Sequence, residues 1–290
     1  VASGLGAAAC SSPSPSATST INLKTAPPGE GIPKAAESSS LHSQLPPSIK
    51  AKGSLLYAMD ATYAPDEFLA PNGSTIIGMD ADFALALSQV LGVKADLVAA
   101  TFDTIIPGLQ SGKYEIGNSS FTDTKAREKQ VNFVDYFRAG EGFYEPANSK
   151  HSFNGLASLC GHTVSVESGT TEQTDANAQA KKCHVTVLAF TDQNAANVAV
   201  TSGRAQLGFA DSQVATYIVR ESNGQFKLTG SAFETAPYGI AAPKGPLDQV
   251  ILGAMRDLEN TGIYKKIVDK WGLQAGAIPL SEMKINGATS

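Results

Sequence analysis

The sequence predicts an α/β protein folded as two lobes with a cleft between them. Three observations carry this reading. Short apolar strands alternate with amphipathic helices from residue 53 onward, the same rhythm restarts after residue 160, and polar clusters follow the strand ends in both halves. Alternation of this kind builds a parallel sheet covered by helices. In such sheets ligands collect beyond the carboxyl ends of the strands.

In the first half, "SLLYAM" reads as a buried strand that runs directly into Asp60. "MDADFALALSQVLG" places Phe83, Leu87, Val90 and Leu91 on one helical face, with Asp80 as its cap and Gly92 as its stop. "VKADLVAA" is a strand, "FDTIIPGLQSG" a helix capped by Asp103 and ended by Gly112, and "YEIGNSS" the next strand. The stretch "SSFTDTKAREKQVNF" then leads a polar Ser-Ser-x-Thr run into a short helix capped by Asp123 or Thr124. A helix start offers unpaired amides and partial positive charge, and Arg127 adds a planar fork suited to a carboxylate. Together they form an anion receptor; the plainer alternative for Arg127 is a surface pair with Glu128 or Asp123.

In the second half, "HTVSVES", "VTVLAF" and "AQLGFA" are strands, while "TTEQTDANAQAKK", "QNAANVAVTSG" and "SQVATYIVRES" are helices. Asp60, residues 119–122, residues 167–171 and Asp211 all follow strands, which is what a cleft lining requires. Turn chemistry and capping account for part of this polarity, and for Asp211 an N-cap role is compatible with a ligand role.

The chain has 290 residues, enough for two compact lobes, with 42% hydrophobic and 17% charged residues. A formal net charge of −5 and the lack of a basic stripe argue against a nucleic-acid partner. No apolar run approaches the length of a bilayer span. The opening "VASGLGAAACSSPSPSATST" is small and apolar up to Cys10, then rich in Ser, Pro and Thr. Such sequence buries too little surface to fold, so residues 11–50 are expected to be a disordered tether.

"DATYAP", "GMDADFALAL", "FDTIIPGLQSGKYEIG", "TDTKAREKQVNFVDYF", "GTT", "SGRAQLGFADS" and "GIYKKIVDKWG" together resemble the amino-acid-binding members of the bacterial extracellular solute-binding proteins, family 3. The resemblance covers roughly residues 53–273. It implies a two-lobed, periplasmic-binding-protein-like (type II) fold that closes on one amino acid, serves an ABC permease, works as a monomer and needs no cofactor or metal. The lobes would comprise residues 51–138, 139–235 and the return 236–275, with crossovers near residues 138–141 and 234–238 and a tail from 276 to 290. By the same resemblance Arg127 grips the α-carboxylate, with Thr122 and Thr171 as added donors, and Ser119 and Gly169 complete the set. Asp211 takes the α-ammonium, helped by the Ser120 carbonyl, and Tyr63 and Phe102 cover the ligand's side chain. The junction Ala8-Ala9-Cys10 is similar to a bacterial lipoprotein signal, departing from it at Ala7. Residues 1–10 are therefore expected to be a signal remnant, with Cys10 as a lipid anchor on the extracellular face of the membrane.

Asp60 and Glu167 fall where the ligand's side chain would end, and two acids there favour a cationic amino acid such as arginine, lysine or ornithine. The alternatives are that Glu167 faces solvent or pairs with a lysine, and that the ligand is glutamine or glutamate. Cys160 and Cys183 are expected to form a disulfide, with a two-Cys, two-His zinc set as the alternative. The same fold also serves a cyclohexadienyl dehydratase, for which Glu167 is the one available general acid. His42, His151, His162 and His184 lie away from the cleft segments. A third alternative, an extracellular sensor lobe, would carry a membrane helix or signalling domain, and the sequence contains neither.

Overall fold

The computed structural model describes residues 22–289. Cys10, the signal remnant over 1–10 and residues 11–21 of the expected tether lie outside the described residues. Residues 22–50 do not behave as a tether. Ala26, Ala35, Leu45 and Ile49 are buried, and helices α1 (Ser39–Gln44) and α2 (Pro47–Lys52) precede the first strand. Composition hid this, because the few apolar residues are spaced to fill gaps on lobe 1 rather than to form a periodic face. Leu23, Ile32 and Leu41 pack against the main core.

Lobe 1 is built on β1 (Ser54–Met59), flanked in parallel by β5 (Lys94–Ala99) and β6 (Ile116–Gly117). Its side chains alternate between faces. Leu55, Tyr57 and Met59 join the core formed with Phe83, Leu87 and Val90 of α3 (Met79–Val90), while Ala58 meets Ile105 and Leu109 of α4 (Phe102–Gln110). A small antiparallel sheet, β2 (Thr62–Tyr63), β3 (Glu67–Leu69) and β4 (Ile76–Ile77), sits between β1 and α3 in the chain. After the one-turn helix α5 (Lys125–Glu128), the long strand β7 (Asn132–Pro146) carries the chain into lobe 2.

Lobe 2 repeats the plan with β8 (Thr163–Glu167), α6 (Thr171–Ala180), β9 (Thr186–Phe190), α7 (Gln193–Thr201), β10 (Leu207–Asp211) and α8 (Ser212–Glu221). Strand β8 pairs in parallel with both β9 and β10. The chain returns through β11 (Phe226–Ala242), antiparallel to β7, and ends in α9 (Leu247–Asn260) and α10 (Ile263–Trp271), whose apolar faces join the lobe 1 core. The other eight strands form one sheet in the order β5-β1-β6-β11-β7-β10-β8-β9. The β7–β11 ladder is broken by register shifts between Thr229 and Phe233, Phe233 and Ala236, and Tyr238 and Gly239. Such irregularities localise bending; the second and third adjoin the expected crossover near residues 234–238, and the first precedes it.

Three sequence expectations are corrected. Asp80 does not cap α3; Gly78 holds that position, and Asp80 is buried in the first turn. Asp103 does not cap α4; the first amide of that helix is taken instead by the Asp60 carboxylate, 3.0 Å away. Sequence proximity misled here, because the acid that serves the helix start lies 42 residues upstream. The zinc alternative also falls, since Cys160 and Cys183 are joined by a disulfide.

The last residues are part of the fold. Ala277 and Ile285 bridge to Phe137 and Val134 of β7, and Met283 is buried. Asp82 of α3 ties both chain ends together: it accepts from Trp271 Nε1 at 2.7 Å and from the Gly29 amide at 2.6 Å, and pairs with Lys270 at 2.8 Å. Trp271 also stands edge-on to Phe68 of β3, which touches Tyr217 of α8 across the lobes.

Candidate functional site

The carboxyl ends of β1, β6, β8 and β10 converge on one gap. From lobe 1, Asp60 accepts from Thr62 N (3.1 Å), Thr62 Oγ1 (2.6 Å) and Phe102 N (3.0 Å). Phe102 stacks on Phe121 at 4.4 Å, and the Arg127 guanidinium lies over both rings at 5.3 and 5.5 Å. Its Nη1 donates to the Thr122 carbonyl at 2.7 Å, and its Nη2 crosses to the Gly169 carbonyl of lobe 2 at 2.9 Å. The surface pair with Glu128 or Asp123 does not form; Glu128 pairs with Lys125. Thr124, not Asp123, caps α5 by accepting from the Arg127 amide.

Ser120 has φ of +48°, a left-handed value that costs a non-glycine residue. The surroundings hold it there. Its amide donates to Asp80 Oδ2 at 2.9 Å, and its hydroxyl reaches Asp66 Oδ2 at 3.0 Å and Glu67 Oε2 at 3.1 Å. Ser119 is a correction: its hydroxyl accepts from the Asp60 amide and donates to Glu67 Oε1, both at 2.8 Å, so it faces the interior of lobe 1 and does not line the gap. Burial of these carboxyls without a base beside them favours their neutral forms. It pushes Asp66 up to about 7, Asp80 up to about 6, and Glu67 well above its ordinary value.

From lobe 2, Glu167 at the end of β8 is buried, and its Oε1 has no hydrogen-bond partner among the described residues. It neither faces solvent nor pairs with a lysine. It lines the same gap as Asp60, and burial first, then the Asp60 charge, holds Glu167 well above the usual carboxylate range. Burial and a like charge both favour the neutral form of such an acid. Gly169 has φ of +84°, and a Cβ there would lie 2.9 Å from Asp103 Cβ, so glycine lets the two lobes approach. Thr170 caps α6, and the Thr171 hydroxyl faces that of Thr122 across the gap at 3.5 Å. Asp211 does not use its side chain to cap α8. Its Oδ2 accepts from the Tyr63 hydroxyl at 2.8 Å, and its amide donates to the Tyr63 hydroxyl oxygen at 3.0 Å. Burial pushes Asp211 up to about 7.

Asp60, Tyr63, Phe102, Ser120, Thr122, Arg127, Glu167, Thr171 and Asp211 thus line one gap of about 10 Å³, while Gly169 lies beside it behind Arg127. Two further lining residues escape sequence reading, Thr170 and Glu172. An acid in the first turn of a helix is ordinary dipole chemistry, which masks Glu172. Only its burial, with Oε1 unpartnered, distinguishes it. Gln193 reaches the cleft only through its amide, which donates to Thr62 Oγ1; its side chain packs with Tyr144 and Asn197.

A guanidinium from one lobe and a carboxylate from the other, facing across a closable gap, suit the two ends of a zwitterion. The family model of the bacterial extracellular solute-binding proteins, family 3, matches residues 55–274. The chain belongs to this family. Among relatives of this family 3 protein, the arginine-binding protein ArgT of Corynebacterium glutamicum is 28% identical over 254 residues, covering 85% of this chain and 82% of the relative. An ancestral arginine-binding protein bound to arginine is 35% identical with a TM-score of 0.72, covering 76% of this chain and 98% of the other. The ancestral amino-acid-binding protein AncCDT-1, a precursor of cyclohexadienyl dehydratase, is 32% identical with a TM-score of 0.71, covering 80% of this chain and 99% of the other.

Proposed function

We propose that this solute-binding protein captures a basic amino acid by closing its two lobes and delivers it to an ABC permease. The observation that carries this reading is the presence of two buried acids, Asp60 of lobe 1 and Glu167 of lobe 2, on the gap that Arg127 and Asp211 also line. A side-chain guanidinium or ammonium placed beside those acids would compensate their charge and satisfy Glu167 Oε1. Arg127 would take the α-carboxylate with Thr122 and Thr171, and Asp211 the α-ammonium with the Ser120 carbonyl. Tyr63 and Phe102 would flank the ligand. The names of the arginine-binding relatives agree with this chemistry.

The ligand stabilises the closed form because only there do both lobes touch it, and the permease would read that closed surface. We infer a monomer held to the outer face of the membrane through lipidated Cys10, and a role in capture rather than chemistry. Glu167, kept neutral by burial, could donate a proton, which is the one feature favouring the dehydratase alternative. Calorimetry with L-arginine, L-lysine, L-ornithine, L-glutamine and L-glutamate decides the ligand class. Binding of glutamine or glutamate without arginine would overturn the basic reading, and aromatisation of added prephenate or arogenate would overturn capture as the sole role.

A further inference from the structure

Helix α7 of lobe 2 starts at Gln193, and the first amides of any helix lack a partner inside it. The Asp192 side chain takes the Ala195 amide at 2.8 Å. The Gln193 amide finds its acceptor on the other lobe, donating to Thr62 Oγ1 of β2 at 3.2 Å. A threonine hydroxyl has one proton to give. That of Thr62 goes to Asp60 Oδ1 at 2.6 Å, and the Thr62 amide reaches the same oxygen at 3.1 Å. The other Asp60 oxygen accepts from the Phe102 amide at 3.0 Å, so both ends of the carboxylate are held. A run of two hydrogen bonds therefore leads from the start of α7, across the lobes, to the acid on the gap. Thr62 itself is not among the residues that line the gap.

We propose that Thr62 is a positioning residue, which fixes the Asp60 carboxylate for a cationic ligand side chain once the lobes have closed. The proposal rests on the reading of Asp60 as an acid that meets that side chain. An oxygen that accepts a hydrogen bond becomes a better donor through its own proton, so the Gln193 amide strengthens the Thr62–Asp60 bond. A bond donated to a carboxylate favours its charged form, and here it opposes the burial that raises Asp60. Parting the lobes takes the Gln193 amide away and leaves the hydroxyl free to turn to water. Asp60 is then less firmly aimed, and less readily ionised, in the open form than in the closed one. Closure sharpens the acid when a guanidinium or ammonium needs it, although no ligand atom touches Thr62. The charged groups around Asp60 are Glu167 at the end of β8, Asp192 at the head of α7 and Glu67 on β3, with Arg127 on the same gap. The three acids oppose its ionisation, which is why a donated bond matters at this position.

The test is L-arginine affinity of the full chain by calorimetry between about pH 5 and 9, for wild type, Thr62→Val, Thr62→Ser, Gln193→Ala and Gln193→Pro. Valine keeps the branched shape of threonine and lacks the hydroxyl. Thr62→Val is expected to bind about tenfold more weakly in mild acid, the effect of one hydrogen bond to a charged group. The loss should shrink as pH rises, because Asp60 without its donor keeps its proton to higher pH. Serine restores the hydroxyl, so Thr62→Ser should return the profile toward wild type. A merely structural defect would lower affinity by one factor at every pH. Proline is tolerated at the first position of a helix and removes the amide proton there. Asp192 before it is already extended, with φ −154° and ψ 159°, as the residue preceding a proline requires. Gln193→Pro and Gln193→Ala both lose the side chain, so their ratio isolates the amide; proline should bind about threefold more weakly than alanine. A Thr62→Val profile parallel to wild type, or equal affinities for Gln193→Pro and Gln193→Ala, would overturn the proposal. Failure of the wild-type chain to bind L-arginine, L-lysine or L-ornithine would instead sink the ligand reading, and the proposal with it.

Discussion

Arg127 donates to two backbone carbonyls, one from each lobe, and lies over two stacked phenylalanine rings. Its removal takes away the one cation that lines the gap among the described residues. Arg127→Ala is expected to weaken binding of L-arginine at least about 100-fold, roughly 3 kcal/mol, with little change in the far-ultraviolet dichroism. The two buried acids Asp60 and Glu167 carry a different prediction. Both are held above their ordinary values in the free protein, which favours their protonated forms, so a cationic side chain beside them favours proton release. Affinity for L-arginine should therefore rise with pH through the titration of this pair, and calorimetry in buffers of different ionisation enthalpy should show proton release. Glu167→Gln should reduce both that release and the preference for arginine over glutamine. Most of the gap was legible at this scale, because strand-end polarity names Asp60, Thr122, Glu167 and Asp211, and the polar run into a short helix names Arg127. Ser119 was misread, since alternation along a strand end does not say which serine turns inward. Glu172 was passed over because its helix-start position already explains an acid.

At the scale of elements, Asp82 shows how a single side chain docks both termini. It gathers the Gly29 amide, the Trp271 indole and the Lys270 ammonium on one buried carboxylate. Asp82→Ala would strand Lys270 without a partner and is expected to cost about 3–5 kcal/mol, measured by urea denaturation. The Cys160–Cys183 bridge, whose partners are 23 positions apart in the sequence, staples the start of lobe 2. Replacing both cysteines by serine should lower stability by about 3 kcal/mol in the same assay, while arginine affinity changes little because the bridge is remote from the gap. Helix and strand positions were readable from periodicity, but caps were not: Asp80 and Asp103 fit a local rule, whereas the acid at the start of α4 comes from another strand. Residues 22–50 failed the composition rule for a related reason. Their apolar residues act singly, each plugging a gap on a surface that the sequence does not display.

Among the described residues of the whole molecule, buried carboxyls outnumber buried bases, and this makes stability depend on pH. Asp66, Asp80 and Asp211 sit at about 7, 6 and 7 in the folded protein, above their ordinary value near 4. The folded state thus holds more protons than the unfolded chain across that window. Stability is then fullest below about pH 4 as far as these groups are concerned, and it is lost as pH rises through about 7. The ligand-free melting temperature should fall between about pH 5 and 8, and L-arginine should restore more of it at the alkaline end. The two-lobed plan was visible in the repeated strand–helix rhythm. Its joining into one eight-stranded sheet was not, because the sequence marks the crossovers only near residues 138–141 and 234–238, whereas β7 and β11 run well beyond those segments.

The chain contains one tryptophan, Trp271, and it stands edge-on to Phe68, whose ring meets Tyr217 on the far lobe. Any parting of the lobes changes the polarity and packing one residue away from that indole. Nature has placed an optical probe beside the moving seam. Its emission maximum and quenching by iodide should respond when arginine is titrated into the unlabelled protein, so domain motion can be followed by stopped-flow fluorescence without a dye, and the rates of ligand capture and release read in the same trace.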